Sequence, residues 1–224
     1  MSTGAAVAGA VLPVARVFGK RALYIESVAR HDGPSVTGKM LSALPGIKLY
    51  TQHPNWANSK WRYEVSVLQG YKSVPRRVTP ATSGKKAFVT FGTIRPYRFD
   101  SLVDRVLEIV PADWDIVWQL GSTMREDLRG EVREYMSVDE FDAHAQTADV
   151  VISHGGVGSA LRILDTGKLP IMVPRRTARG EHVDDHQEQI CGLLSDMGIA
   201  LAVEADAINM TDLDYVQSQL VVRV

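Results

Sequence analysis

Val150-Val-Ile-Ser-His154-Gly-Gly-Val-Gly-Ser159, continued by Ala160-Leu-Arg-Ile-Leu-Asp165, reads as a buried strand that empties into a glycine-rich turn and opens a helix. That arrangement can cradle an anion. Glycine lets backbone amides approach a phosphate closely, and the first helical turn adds N–H groups without helical partners at the positive end of the helix dipole. A diphosphate is the first ligand to consider, the bland alternative being a turn that serves only strand-to-helix packing. His154 favours the ligand, because a side chain at the carboxyl end of a strand in an open α/β sheet faces the crevice.

The same beat recurs on both sides of this stretch. Ala87 to Phe91 reads as a strand with Gly92-Thr93 as its turn, and Phe99 to Val110 as a helix with Leu102, Val103, Val106, Leu107 and Val110 on one face. Asp115 to Leu120 is a strand, Val138 to Ala148 a helix with Asp139 as its cap, and Ser159 to Thr166 a helix. Leu169 to Val173, a helix from Asp185 to Asp196, and Ile199 to Val203 complete the series. Strands alternating with helices of this length imply an α/β fold with a parallel sheet. Three candidate ligand loops, after Phe91, Ser153 and Val173, follow carboxyl ends of strands and converge on one crevice.

Composition narrows the field without naming a ligand. The 224 residues are 45% hydrophobic and 23% charged, ordinary for a globular protein, and the formal net charge of -1 with no dense Lys/Arg block argues against nucleic acid. The clusters Arg16 to Arg21, Lys72 to Arg77 and Arg175-Arg176 read as solvated faces. The single cysteine, Cys191, rules out a disulfide within the chain, suits a cytoplasmic setting and reads as core packing. No stretch reaches the ~18 to 20 uncharged apolar residues that cross a bilayer, and Ala5 to Val14, which lacks a basic n-region and contains Pro13, reads as part of a packed helix.

Two further motifs follow the glycine turn. The run Leu169-Pro-Ile-Met-Val-Pro174 ends in Arg175-Arg176, and Gly180-Glu-His-Val-Asp-Asp-His186-Gln187 precedes a helix carrying Ile190, Leu193 and Leu194. In the order "SHGGVGS", "GKLPIMVPRR", "GEHVDDHQ", the chain from about Lys86 to Ala202 resembles the donor-binding half of the GT-B glycosyltransferases of family 28. These include bacterial exopolysaccharide enzymes and the catalytic subunit of the two-subunit N-acetylglucosaminyltransferase acting on dolichol-diphosphate-linked sugar. The resemblance implies a GT-B fold, with a Rossmann-like parallel sheet in the carboxyl-terminal domain and a partial Rossmann-like amino-terminal domain. It implies a nucleotide sugar, uridine-linked, as donor and a lipid-linked or polysaccharide-precursor acceptor at the inner membrane face. Carried residue by residue, the donor site comprises Gly92 and Thr93; His154, Gly155, Gly156, Val157, Gly158 and Ser159; and Arg175, Glu181, His182, Asp185, His186 and Gln187. The glycine turn would hold the diphosphate, and His186 and Gln187 would meet the sugar. One departure stands out: many relatives place a ribose-binding glutamate three residues after the serine, where this chain has Arg162, which donates only.

The first ~80 residues differ. Lys20 to Ser27 is a strand with the acidic exit Glu26, Gly33 to Gly38 a loop rich in hydroxyls, and Leu49 to His53 a second strand. Proline and small residues give 80–86 linker composition, which divides the chain into a partial acceptor-side domain (1–79) and a donor-binding domain (87–224). "LYIESVARHDGPSVTGKM" resembles the end of the family's acceptor-side, membrane-associating partner. Two strands fall short of the five or six that such a domain wants, so either the chain begins within a longer gene product, or another polypeptide or a second copy of the chain supplies the rest.

Inverting transfer needs a base for the acceptor hydroxyl, and Glu26, with His31 or Asp32, is the candidate, against the alternative that Glu26 only caps a strand end. His182 and His186 have the spacing of a zinc pair without a third ligand, so no metal and no other cofactor is expected. His53, Trp56 and Trp61 read as core before sugar platform. The expected function is hexosyl transfer. The alternatives are a non-catalytic or partner-dependent nucleotide-sugar-binding subunit or truncated remnant, and an epimerase of similar build.

Overall fold

The computed structural model describes residues 5–76, 84–183 and 186–224, with the side chains of Ala5, Ala6 and His186 left aside. The chain divides into an amino-terminal unit, Met1–Gln69, and a carboxyl-terminal unit, Gly70–Val224. The division falls ahead of the expected 80–86 linker, of which 80–83 lie outside the described residues.

In the amino-terminal unit α1 (Ala5–Val17) leads to β1 (Ala22–Ile25), α2 (Val36–Ser42), β2 (Ile47–Thr51) and β3 (Trp61–Tyr63). The strands form a parallel sheet in the order β1-β2-β3, one strand more than the sequence suggested. Only three residues long, β3 carries too little alternation to announce itself. Ala8 and Leu12 of α1 and Leu41 of α2 pack on Ala22, Tyr24, Leu49 and Trp61 to make the core. Trp61 and Trp56 belong there, and His53 is buried with Nε2 2.6 Å from Val28 O.

The carboxyl-terminal unit begins with β4 (Tyr71–Pro75) and continues with β5 (Lys86–Thr90), α3 (Asp100–Ile109), β6 (Asp115–Gln119), β7 (Glu131–Arg133), α4 (Val138–Thr147), β8 (Val150–His154), α5 (Val157–Asp165), β9 (Ile171–Val173), α6 (His186–Asp196), β10 (Leu201–Ala202), α7 (Met210–Gln217) and β11 (Gln219–Arg223). β4 pairs antiparallel with β11, which is why residues before the expected linker belong to this unit. A six-stranded sheet runs β10-β9-β8-β5-β6-β7, every pair parallel. Successive strand residues point to opposite faces, yet every residue of β8 and β9 is buried, so both faces of the sheet centre are covered. The cap of α4 is Ser137, not Asp139. Its hydroxyl accepts from Glu140 N–H while the Glu140 carboxylate accepts from Ser137 N–H, a reciprocal box that Asp139 cannot make.

The strand order matters for function. From β5 the chain moves out through β6 to β7, then returns to lay β8 against the other side of β5 and moves out through β9 to β10. The order reverses between β5 and β8, and in such sheets the crevice beyond the carboxyl ends at that reversal is where ligands bind.

Candidate donor site at the strand exits

Gly92 and His154 meet at the reversal. Gly92 has φ 69°, open to glycine at little cost, and a Cβ there would stand 2.6 Å from His154 Cε1. A Cβ on Gly156 would run into His154 Nε2 from the other side. The imidazole therefore sits between two glycines, with Nδ1 3.4 Å from Thr90 O. Because a carbonyl only accepts, Nδ1 carries the proton and Nε2 keeps a lone pair. Burial, and after it the Arg175 charge, push this histidine down to about 3, so it is neutral at ordinary pH.

Gly155 is closed as well. A Cβ there would meet Gln187 Cβ at 2.7 Å and Cys191 Sγ at 2.9 Å, so this glycine lets β8 pack on α6. Of the three glycines in this turn, Gly158 alone has open space around its Cβ position. The glycine turn thus does two jobs, and packing takes three glycines (Gly92, Gly155, Gly156). Ligand approach falls to the start of α5, where Gly156 provides no side-chain cap and the N–H groups of Val157, Gly158 and Ser159 have no carbonyl one turn back within the helix. Nine residues of aligned peptide dipoles lie behind them. Thr93 stands exposed at the exit of β5.

The third loop is organised by buried polar contacts. Arg175, expected on a solvated face, is 1% exposed, with Nη2 donating to Phe91 O at 2.9 Å and its guanidinium over the Phe99 ring. Burial lowers its pKa to about 10, with the Glu181 charge opposing. Gln187 accepts the Arg175 backbone N–H at 3.1 Å through Oε1, tying α6 to the exit of β9. Glu181 is buried, accepting from Ser101 Oγ at 2.5 Å and from Arg176 N–H at 3.0 Å, and so braces the loop with both oxygens occupied. His182 lies beside the Tyr97 ring, centroids 5.9 Å apart. Asp185 and the side chain of His186 lie outside the described residues.

Two findings were not legible from the motifs. Gln119, ending β6, accepts from Thr90 Oγ1 at 2.5 Å and donates to Gly92 O at 3.1 Å and Glu134 O at 3.3 Å, locking the first ligand turn. The signal was present as a glutamine closing the apolar run of Asp115 to Leu120. Arg162 makes a two-pronged pair with Asp142 of α4, at 3.0 and 2.6 Å, which engages it with a neighbouring helix. Cys191 is core, its thiol pushed up to about 12 by burial. Among the described residues no grouping of three His, Cys, Asp or Glu could hold a metal ion.

Glu26, in the other unit, is 2% exposed and accepts four hydrogen bonds: from Tyr24 OH, Ser27 N–H, Ser35 N–H and Ser35 OH, at 2.8 to 3.0 Å. A Cβ on Gly38 would strike its Oε2. Its lone pairs are engaged in shaping the loop from β1 to α2.

A doubly wound parallel sheet with three loops at the exits of its central strands is a build that GT-B glycosyltransferases share. The chain belongs to the glycosyltransferase family 28 C-terminal domain family, whose model matches residues 87–216. The chain is 22% identical over 208 residues to the UDP-N-acetylglucosamine--N-acetylmuramyl-(pentapeptide) pyrophosphoryl-undecaprenol N-acetylglucosamine transferase of Flavobacterium psychrophilum, covering 85% of this chain and 56% of that protein. Among solved structures, MurG of Acinetobacter baumannii superposes with a TM-score of 0.62 at 19% identity, covering 95% of this chain and 62% of that one. The spinosyn rhamnosyltransferase SpnG complexed with thymidine diphosphate gives 0.52 at 14% identity, covering 91% and 59%. The chain thus spans little more than half the length of these relatives.

Proposed function

We propose that this protein is a hexosyltransferase that takes its sugar from a uridine diphosphate donor and passes it, with inversion, to an acceptor carried on a polyprenyl diphosphate. The observation that carries the reading is the meeting of Gly92, His154 and the uncapped start of α5 at the reversal of strand order. Support comes from the Flavobacterium relative, which uses a UDP-sugar and a pyrophosphoryl-undecaprenol acceptor, and from SpnG, which holds a nucleoside diphosphate. The N–H groups of Val157, Gly158 and Ser159 would take the charge that grows on the departing diphosphate, the task a metal performs elsewhere. Thr93 and His182 would flank the ligand at the neighbouring loops. For the acceptor hydroxyl His31 suits the task better than Glu26. Its Nδ1 lies 2.9 Å from Asp32 Oδ1, and its side chain is 36% exposed.

No helix among the described residues is long and apolar enough to cross a membrane. α1 nonetheless leaves Val7, Val11, Val14 and the following Phe18 exposed at helical spacing, and α2 with its exit adds Val36, Met40 and Leu44. Arg16, Lys20, Arg21 and Lys39 accompany them. An apolar stripe with basic company suits docking to an anionic lipid surface, where a polyprenyl acceptor resides.

A second reading is favoured by the amino-terminal sheet. Leu23, Ile25 and Tyr50 line one face of it together with Val65 and Val67, around a concavity of about 320 Å³. Parallel sheets are ordinarily covered on both faces. In this reading the chain binds donor and needs a second polypeptide for transfer. Calorimetry with uridine diphosphate and its sugars, followed by product analysis with a lipid-linked acceptor, separates the two. Tight donor binding with a new glycosidic bond supports the first, and donor binding with transfer only on addition of a partner supports the second. Absence of nucleotide binding sinks both.

A further inference from the structure

Arg175 is an oddity that donor contact does not explain. Its Nε and Nη1 are sealed from solvent and have no hydrogen-bond partner, and among the described residues no carboxylate forms an ion pair with it. The nearest help, Glu181, already has Ser101 on one oxygen and the Arg176 N–H on the other. A guanidinium held out of water with two unmet donors is costly to a fold, and an unbranched apolar side chain would fill the same space more cheaply. Such a group persists where function needs it. Its surroundings say which function. Arg175 leaves the carboxyl end of β9, bonds Phe91 O at the exit of β5, and is anchored through its own N–H to Gln187 of α6. It stacks on Phe99 at 5.3 Å. These contacts hold the cation rigidly among the same strand exits that flank the start of α5, while its burial denies a ligand direct access.

We propose that Arg175 is a positioning residue that acts by charge: fixed behind the exits of β5 and β9, it raises the potential at the start of α5 and strengthens the hold on a diphosphate it does not touch. The inference rests on the reading of that helix start as a diphosphate site. A charge with little water around it is weakly screened, so it reaches further than a surface arginine would. Burial first, and this charge after it, disfavour a second cation at His154 and keep the imidazole neutral.

The test measures binding of inorganic pyrophosphate and of uridine diphosphate to the full chain by calorimetry, with melting temperature alongside, for wild type, Arg175→Met and Arg175→Lys. The Met variant is expected to melt no lower than wild type and to bind both ligands about tenfold more weakly, the size expected of a unit charge on the order of 10 Å away in an effective dielectric of about 20. The Lys variant, which keeps the charge and loses the planar fork, should stay within about threefold. Unchanged affinity in the Met variant, or a Lys variant as weak as the Met variant, overturns the proposal. So does a wild type that binds uridine diphosphate and ignores pyrophosphate. If the Met variant melts well below wild type, the Lys variant still decides, since retained affinity there upholds the charge and lost affinity refutes it. Pyrophosphate binding without any nucleoside diphosphate binding leaves Arg175 in its role and refutes the nucleotide reading of the site.

Discussion

The two units of the chain alternate parallel strands with helices, yet they finish the job differently. In the carboxyl-terminal unit the central strands are buried on both faces, and the exposed apolar residues, such as Met124, Val138 and Val183, are scattered along the chain. In the amino-terminal unit α1 is apolar on the side that packs, through Ala8 and Leu12, and apolar again on the side that does not, through Val7, Val11 and Val14. A helix hydrophobic all round belongs in a larger core or against lipid. The contrast separates two reasons for an apolar residue. In one unit it is spent on folding, and in the other part of it stays exposed.

The sharpest way to break this contrast is at the glycine turn, where packing and the proposed binding lie side by side. Gly156→Val would force a Cβ into His154 and should cost about 3 kcal/mol of stability or more, with donor binding lost as well. Gly158→Ala meets nothing, so stability should hold or rise by about 0.5 to 1 kcal/mol while affinity for uridine diphosphate falls. Denaturant unfolding beside calorimetry checks both, and a destabilised Gly158 variant would show that the turn has no open side.

Next in size is the effect of pH on the carboxyl-terminal unit. His154 stays neutral in the fold down to about 3, whereas the unfolded chain takes up that proton near the ordinary histidine pKa of about 6.5. Stability should therefore fall as pH drops from about 6.5 towards 3, at about 1.4 kcal/mol per pH unit from this residue alone. His154→Gln should flatten that slope in urea titrations between pH 6.5 and 4. An equal slope in the variant would mean that the imidazole is protonated in the folded state.

Gln187→Ala leaves the Arg175 N–H without its acceptor in a buried place, a loss of about 1 to 2 kcal/mol. Since Oε1 is already engaged, uridine diphosphate and its sugars should weaken together. A loss confined to the sugar-bearing ligand would instead put the Gln187 amide on the sugar.

The smallest effect on stability, and the one that bears on the other unit, is Val11→Ser with Val14→Ser. Both positions are 54% exposed, so unfolding should change by no more than about 0.5 kcal/mol while sedimentation with anionic vesicles declines. Undiminished vesicle binding would leave the stripe to a protein partner.

Most of the helices and strands from Lys86 to Ala202 were legible because they carry their own period: Leu102, Val103 and Val106 fall on the buried face of α3, and Val150 to Ser153 is too apolar to be anything but a covered strand. The short β3 and β7 were not, since three residues hold no period worth the name. Nor were β4 and β11, which are distant in sequence and defined by pairing with each other.

The sequence by itself determined the order of elements, the glycine turn at the start of α5 and the anion chemistry that such a turn offers, because propensity, periodicity and missing Cβ atoms are local properties. Only the tertiary structure decided which strands are neighbours, and hence that the exits of β5 and β8 form the crevice. It also decided that Glu26 is saturated by donors, that Arg162 is engaged with Asp142, and that Arg175 lies buried and half unpaired. Partnership and burial are relations between residues far apart in the chain, and a local pattern carries no record of them.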